Sequence, residues 1–172
     1  TSEITAAVDT APAGCTLISG ATGSTFTATN TQAGKYILAL ASASNYVNTT
    51  SGLTQVAASK TSTSTSKILR PAEITNVGPF TSSVSAHVGS TITAPTPTVV
   101  GFETPSLGRK WYACDSQIAA TLTALPTDCA EIPGAGANTL TVPSMASSKY
   151  LAVAFTATNT VLGVTKTSYK VS

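Results

Sequence analysis

A long internal repeat is the feature that most limits how this chain can fold. The stretch GKYILALASASN at 34–45 and the stretch SKYLAVAFTATN at 148–159 share one pattern, and they are 114 residues apart. The same spacing aligns 1–45 with 115–159 without a gap. Matched pairs include Ser2 and Ser116, Ile4 and Ile118, Pro12 and Pro126, Cys15 and Cys129, and Gly20 and Gly134. Ungapped self-similarity of this length indicates an array of similar structural units.

The composition of the chain favours β-strands over helices. The 172 residues include 32 Thr and 21 Ser, and Val, Ala, Gly and Pro are also frequent. These residue types suit pleated strands joined by turns. At 150–155 the sequence alternates Tyr, Ala and Ala on one face with Leu, Val and Phe on the other. Short alternating segments separated by turn residues predict a sandwich or a barrel.

The two copies differ in extent. The second copy has an upstream half at 71–115, which contains the single tryptophan of the chain, and the first copy has no counterpart of that half. The six alternating Thr and Ser residues at 61–66 could form a strand edge, but we expect a solvated connector there. We therefore predict the C-terminal half of a repeat at 1–57, a Thr/Ser-rich linker at 58–70 and a complete domain at 71–172.

Charge and hydropathy limit the partners that we expect. Charged residues are 9 % of the chain and the net charge is +2, so there is no electrostatic argument for binding nucleic acid or an anionic membrane. No run of about 18 apolar residues is present, so we expect no membrane-spanning segment. The stretch at 1–10 lacks the basic and apolar regions of a signal peptide, so we expect a mature or excised segment.

No pattern in the sequence predicts an enzyme. The seven carboxylates are scattered, without the spacing of an acid/base pair or a calcium loop. His87 is the only histidine, and we expect it in a surface turn rather than as a general base. There is no phosphate-binding glycine loop and no nucleophile elbow. We therefore expect no enzymatic activity, no cofactor and no metal site.

Four stretches of the second copy carry a resemblance to a known family. They are VGSTITA at 88–94, RKWYACD at 109–115, DCAEIPGAGANTLTV at 128–142 and KYLAVAFTATN at 149–159. In order and spacing they resemble the bacterial immunoglobulin-like repeats of large secreted surface proteins, which are common in actinobacteria. The matching positions are Trp111, Cys114, Cys129, Ile132, Gly134, Ala135 and Asn159. The loop between the two cysteines is long, and Leu140 replaces the usual aromatic residue.

The resemblance implies an all-β fold of tandem immunoglobulin-like β-sandwiches, with the first present only as its C-terminal half. We expect Trp111 to fill the space between two sheets. The resemblance also implies a Cys114–Cys129 disulfide, which fits an extracellular or cell-surface location. Tyr36 and Tyr150 each begin a strand, and we place both in the core, either as tyrosine corners or as half-buried strand aromatics.

Cys15 is the odd cysteine of the three. By the repeat, its partner belongs to the half that the first copy lacks. We therefore expect Cys15 to be free, or bonded to another chain or to sequence outside this segment. Too few other ligands exist for a zinc site, and no Cys–His pair indicates a catalytic thiol.

The repeat predicts a structural role. We expect a component of an extracellular fibre, stalk or surface layer that assembles head to tail by strand complementation, with copies of itself or the adjoining part of a longer repeat chain as partners. Residues 1–57 lack the strands that would cover their apolar face, which leaves Ile37, Leu38, Leu40 and Leu53 partly in water.

Two other functions stay open at this point. The first is an adhesin or glycan-binding module that binds surface glycans, with Tyr46, Tyr112 and Tyr169 as candidate contact residues. The second is an ice-binding surface built from the Thr-x-Thr sites, for which ordinary β-propensity is the simpler explanation.

Glycosylation is a further expectation. Asn48 begins an NTT sequon in a turn-like context, and the tract at 61–66 is a candidate for O-linked sugar. The O-linked candidates are Thr61, Ser62, Thr63, Ser64, Thr65 and Ser66.

Overall fold

The computed structural model describes residues 2–80 and 86–172, and the chain divides into two compact units. Unit 1 is Thr1–Ile68 and unit 2 is Leu69–Ser172. The fold is all-β: the described residues form ten strands and two short 3-10 turns, with no α-helix among them. All strand pairings are antiparallel. In the described ranges no helix has the length and apolar character that a bilayer crossing needs.

Unit 1 contains one long hairpin. Its strands are β1 (Leu40–Thr49) and β2 (Gly52–Thr61), and the register runs from Leu40 opposite Thr61 to Thr49 opposite Gly52. Alternating Ser, Ala and Thr residues suit such a ribbon, and Gly52 has the positive φ of 111° that the turn requires. A 3-10 turn at Asn30–Gln32 precedes the hairpin.

The Thr/Ser tract at 61–66 is not the solvated connector that we expected, because it is hydrogen-bonded on two sides. Four of its residues each donate a backbone N–H to a partner carbonyl and accept the same partner's N–H on the side-chain hydroxyl, at 2.8–3.1 Å. The pairs are Thr61–Val8, Ser62–Ala39, Ser64–Ile4 and Thr65–Ile37. The partners therefore recur with a period of three, which is the period of a polyproline II helix.

The expected linker boundary at residue 58 also differs from the structure, since β2 continues to Thr61. The tract stays hydrogen-bonded beyond the end of β2 because its side chains carry hydroxyl groups. A Ser or Thr side chain can replace a backbone carbonyl as acceptor, so a chain that has left regular strand geometry still satisfies its neighbours' N–H groups.

The described residues of unit 2 form eight strands in three sheets. The strands are β3 (Arg70–Val77), β4 (Thr91–Thr93), β5 (Pro97–Phe102), β6 (Ser106–Cys114), β7 (Cys129–Glu131), β8 (Thr139–Thr141), β9 (Tyr150–Val161) and β10 (Val164–Val171). The largest sheet has the order β10-β9-β6-β7, and β3-β5 and β4-β8 form two smaller pairs. A second 3-10 turn at Ser144–Ala146 precedes β9.

The four-stranded sheet of unit 2 is buried on both faces. Along β9, Val153 and Phe155 lie in an inner cluster with Ile74, Ile92, Trp111 and Leu140, which come from all three sheets. Ala152 and Ala154 alternate with them and lie in an outer cluster with Tyr112, Cys114 and Val171. The two smaller sheets thus cover one face of the larger sheet, and the arrangement is sandwich-like.

Trp111 lies at the centre of the inner cluster and is 0 % exposed. Its indole N–H donates to the carbonyl of Ala137 at 3.0 Å, which satisfies the one polar atom of the side chain. The ring of Phe80 packs against it with centroids 5.9 Å apart. Trp111 therefore fills the space between the sheets of unit 2.

The two tyrosines expected in the core are placed differently. Tyr150 is 50 % exposed, so its assignment to the core is wrong. It is the first residue of β9, and it extends beyond Ala152 and Ala154, which are the buried residues on the same face. Tyr36 is half-buried, with the ammonium of Lys67 5.8 Å from its ring centre. In the described ranges neither tyrosine makes the hydroxyl hydrogen bond of a tyrosine corner.

A buried asparagine joins β9 to β3 and to the residue that follows β5. The side-chain oxygen of Asn159 accepts the N–H of Ala72 at 2.8 Å, and its amide nitrogen donates to the carbonyls of Arg70 and Glu103 at 2.8 and 2.9 Å. These three bonds fix the position of the β3-β5 pair relative to the large sheet. The disulfide Cys114–Cys129 joins the ends of β6 and β7, where the two residues are opposite each other.

We predict that Asn159→Ala lowers the free energy of unfolding of unit 2 by about 3 kcal/mol, because one N–H and two carbonyls lose their partner. Asn45→Ala is the matched control at the equivalent, exposed position of unit 1, and we expect a change below about 0.5 kcal/mol. Urea denaturation followed by Trp111 fluorescence measures the effect in unit 2, and hydrogen exchange of unit 1 measures the effect of the control substitution. Equal effects would contradict the assigned role of Asn159.

We also predict that replacing Cys114 and Cys129 together by Ser destabilises unit 2 by about 3 kcal/mol, because the closed loop no longer restrains the unfolded chain. Cys15→Ser is the control, and we expect no change in the same fluorescence-monitored transition. A double variant as stable as the parent would mean that the bridge contributes nothing to unit 2.

Candidate functional site: the unpaired strand edges of unit 1

Residues 2–45 and 116–159 have matching local geometry. The two 3-10 turns, Asn30–Gln32 and Ser144–Ala146, lie 114 residues apart. Gly20 and Gly134 have φ of 76° and 74°, and the positive φ of Gly34 recurs at Ser148 as 59°. The same spacing therefore relates the backbone conformations as well as the sequence.

Backbone hydrogen bonds recur with the same spacing. Five bonds in unit 1 have counterparts in unit 2 that join the equivalent atoms. The donors in unit 1 are Cys15, Ala21, Gln32, Ala33 and Lys35, and those in unit 2 are Cys129, Ala135, Ala146, Ser147 and Lys149. Val8 and its counterpart Leu122 also contact equivalent positions of the second hairpin strand, although these positions are 110 residues apart. Val8 accepts the N–H of Thr61, which is opposite Leu40, and Leu122 accepts the N–H of Val171, which is opposite Ala154.

The two units differ in strand pairing, because two strand pairs of unit 2 have no equivalent in the described residues of unit 1. In unit 2, β7 pairs with β6 and β8 pairs with β4. The equivalent segments of unit 1 are 15–17 and 25–27, and neither belongs to a strand. Residues 2–68 contain counterparts of β7 to β10 and none of β3 to β6. The missing partners, rather than the local sequence, therefore account for the missing strands.

Burial follows the same division. Both apolar clusters lie in unit 2. In unit 1, Thr61 is the one buried residue among residues 2–68. Phe26 is exposed where its counterpart Leu140 is buried, and Leu17 is 90 % exposed. The part of unit 1 that the structure describes thus has no buried apolar side chain.

The exposed apolar side chains of unit 1 lie along the hairpin. Leu40 and Leu53 are 49 % and 74 % exposed, and Ile37 and Leu38 are half-buried, as we expected for these four residues. β1 pairs with β2 in a two-stranded sheet, so its second edge has no strand partner in the described residues. The sequence of β1, LASASNYVNT, contains no charged residue and no proline that would protect that edge.

A shallow depression lies on the hairpin, and its floor is made of small side chains. It is lined by Asp9, by residues 41–43 and by residues 58–60, which include Ala41, Ala43 and Ala58. Lys60 forms an exposed ion pair with Asp9 at 3.5 Å, which contributes little to stability. The depression is too open for a small-molecule site, because such a site encloses most of its ligand.

Cys15 is half-buried and has no disulfide partner within the described residues. Its counterpart in unit 2 is Cys129, which is bonded to Cys114 at the end of β6. The structure therefore places a free thiol at the position where a β6-type strand would end beside it.

The glycosylation candidates are not equally accessible. Asn48 is exposed on β1, two residues before the hairpin turn. Thr61 is buried, so its proposed modification is wrong on steric grounds. The hydroxyls of Ser62, Ser64 and Thr65 accept backbone N–H groups. Thr63 and Ser66 are exposed, and they lie on the side of the tract that has neither of the two sets of backbone partners.

The three tyrosines considered for glycan binding differ in exposure. Tyr46 is exposed on β1, whereas Tyr112 is buried and Tyr169 is half-buried in unit 2. Burial raises the pKa of the Tyr169 hydroxyl, with a smaller contribution from neighbouring Tyr112. A stacking platform for sugars needs exposed aromatic faces, and Tyr112 does not offer one.

Two of the Thr-x-Thr sites lie opposite each other. Thr91 faces Thr141 and Thr93 faces Thr139 across the β4-β8 pair, with all four side chains exposed and Ile92 and Leu140 turned inward. Cross-strand Thr pairs of this kind stabilise a sheet. The array covers two strands of three residues each.

Comparison with protein-family models, with curated proteins and with solved structures finds no match to this chain. Among the described residues no cluster of His, Cys, Asp or Glu has the arrangement of a metal site. His87 lies in an exposed turn before β4, where its backbone bonds the hydroxyl of Ser90.

We predict that Ser148→Gly stabilises unit 2 by up to about 1 kcal/mol, because glycine has no Cβ to oppose the left-handed backbone there. The reciprocal change Gly34→Ser should lower the resistance of unit 1 to limited proteolysis. Denaturation and protease titration measure the two effects. A Ser148→Gly protein less stable than the parent would show that the hydroxyl, not the backbone, matters at this turn.

Proposed function

We propose that this chain is a structural module of an extracellular fibre, stalk or surface layer built from immunoglobulin-like repeats. In this proposal residues 2–45 and 116–159 belong to two copies of one repeat, unit 2 is self-sufficient, and unit 1 is a joint that neighbouring polypeptide completes by strand complementation. The contrast in burial between the two units is the observation that carries the proposal.

The magnitude of the exposed apolar surface supports a joint. Burial of a large apolar side chain contributes about 1.5–3 kcal/mol. Four such side chains on unit 1, Phe26, Leu40, Leu53 and Val56, are exposed. They are 41–74 % exposed, so covering the rest of their surface would contribute about 3–6 kcal/mol, against the entropy cost of association. Unpartnered apolar surface of this kind is typical of an interaction site.

The unprotected edge of β1 supports the same role. An uncharged edge strand with free N–H and C=O groups is a template for another strand. A contact in which unit 1 of one molecule receives strands from a different part of another is heterologous, and such contacts propagate into filaments rather than closing.

Chemical features of unit 2 support an extracellular setting. A disulfide is stable in an oxidising compartment and rare in a reducing one, and Cys114–Cys129 closes the β6-β7 edge. The surface polarity comes from Thr and Ser hydroxyls rather than charges. A fibre module requires no reactive group, and unit 2 has a packed core and a disulfide.

We predict that, as long as no donor strand is bound, the chain self-associates through the unpaired edge of unit 1 in a concentration-dependent manner. Leu40→Lys, which puts a charge on the unpaired edge, should return it to a monomer. Leu162→Lys in the hairpin turn of unit 2, at a leucine that is 85 % exposed, is the matched control and should have no effect. Size-exclusion chromatography with light scattering measures the mass.

Two results would refute this assembly. One is a well-folded monomer at every concentration, with unit 1 protected from hydrogen exchange and Cys15 free. The other is equal self-association by the two lysine variants, which would place the contact outside unit 1. The glycan-binding and ice-binding alternatives stay predictions, which a glycan array and a thermal-hysteresis measurement would test.

A further inference from the structure

We infer that unit 1 contains a specific binding slot for one β-strand of the β6 type, donated by a stretch of polypeptide whose own repeat leaves that strand unpaired. The incoming strand lies antiparallel to 36–44, with its cysteine opposite Tyr36 and its large aromatic residue opposite Ala39. This inference rests on the proposed function, and it names the partner of the joint by the chemistry of its strand.

Unit 2 supplies the template for the register. β6 lies between β9 and β7, and it pairs with β9 from Ser106 opposite Thr158 to Cys114 opposite Tyr150. The spacing of 114 residues converts 150–158 into 36–44 and β7 into 15–17. Both segments are present in unit 1, and neither has a β6-type partner in the described residues. The slot therefore has two edges, as the site of β6 has in unit 2.

Side-chain size on unit 1 favours a strand with a large residue at one position. In unit 2, Trp111 is opposite Val153, and Phe155 follows on the same face. The equivalent residues of unit 1 are Ala39 and Ala41. With Ala43 and Ala58 they give a face of small side chains, part of which floors the depression on the hairpin. An indole or phenyl group from the donor would fill the space that these alanines leave.

Cys15 provides a covalent latch at the end of the slot. In unit 2 the last residue of β6, Cys114, is opposite Cys129 and bonded to it. The donor cysteine would meet Cys15 in the same way. If the donor cysteine arrives as a mixed disulfide with a small thiol, the Cys15 thiolate attacks its sulfur. The donor–Cys15 disulfide then forms and the small thiolate leaves, without net oxidation.

The β6 strand of unit 2 is not available as the donor. It is already paired on both sides, and its Trp111 is fully buried. Exchanging it between copies would fill one slot and empty another. The donor is therefore a β6-type strand that is not paired in its own repeat.

A peptide experiment tests the register. The full chain is incubated with the synthetic peptide PSLGRKWYACD, the sequence of 105–115, with its cysteine protected as the glutathione mixed disulfide. We expect a peptide adduct on Cys15, measured by mass mapping. The control peptide PSLGRKWYCAD moves the cysteine by one residue, which turns it to the other face of the strand. We expect its adduct yield to be lower by about tenfold or more.

Chain variants test the face. Ala39→Glu puts a charge where the donor tryptophan would lie, and it should reduce capture of the first peptide to the level of the control peptide. Val47→Glu is the matched variant on the same face of β1, outside the predicted register, and it should leave capture unchanged. Ala39 and Val47 are both exposed, so both variants should fold. Equal capture of the two peptides, or capture that Ala39→Glu does not reduce, overturns the slot.

The failure of this inference is distinguishable from the failure of the proposed function. Register-dependent capture by a chain that is monomeric at every concentration would overturn self-assembly and support the slot. Self-association that Leu40→Lys abolishes, with no register dependence in peptide capture, would support the joint and overturn the slot. If both proposals hold, the first peptide converts the assemblies into monomers that carry one peptide each.

Discussion

The pairing of β6 between β9 and β7 is the interaction on which the rest of unit 2 depends. β6 supplies Trp111 to the inner cluster and Tyr112 to the outer cluster, and its last residue forms the disulfide. Unit 1 has counterparts of both flanking segments but not of β6. Its segments keep the same turns and the same local hydrogen bonds. The counterpart of β9 still forms a strand, β1, with β2, whereas the counterpart of β7 forms no strand, and neither contributes to a core. Turn geometry and the hairpin are therefore local in this fold, whereas the β7-type strand and burial require the partner.

Much of this architecture could be predicted from the sequence, because the repeat, the alternating patterns and the single tryptophan each have one simple structural consequence. The sequence places Tyr150 wrongly because the alternating pattern predicts which face of the strand a residue lies on. It does not predict how far along the strand that face is buried. The tract at 61–66 was misassigned because hydroxyl-to-backbone bonds leave no periodic apolar signal. The three bonds of Asn159 were also missed, although an asparagine stands at the same position in both copies.

The two units suggest a division of labour within one chain. Unit 2 has a packed core, a disulfide and a clamp by Asn159, so it can persist alone in an oxidising environment. Unit 1 has a ribbon, a hydrogen-bonded Thr/Ser tract and an unpaired edge, so its stability is linked to what it binds. If partner binding supplies the missing core, the joint is weak before assembly and strong after it.

Native-state hydrogen exchange tests the central claim most directly, because 36–44 and 150–158 can be compared in the same sample. The account predicts that in the dilute monomer the amides of 150–158 exchange only with global unfolding of unit 2, whereas those on the free edge of 36–44 exchange rapidly. Assembly, or addition of the β6 peptide, should then slow exchange at 36–44 alone. Equal protection of the two segments in the dilute monomer would contradict the account, since unit 1 would already be complete.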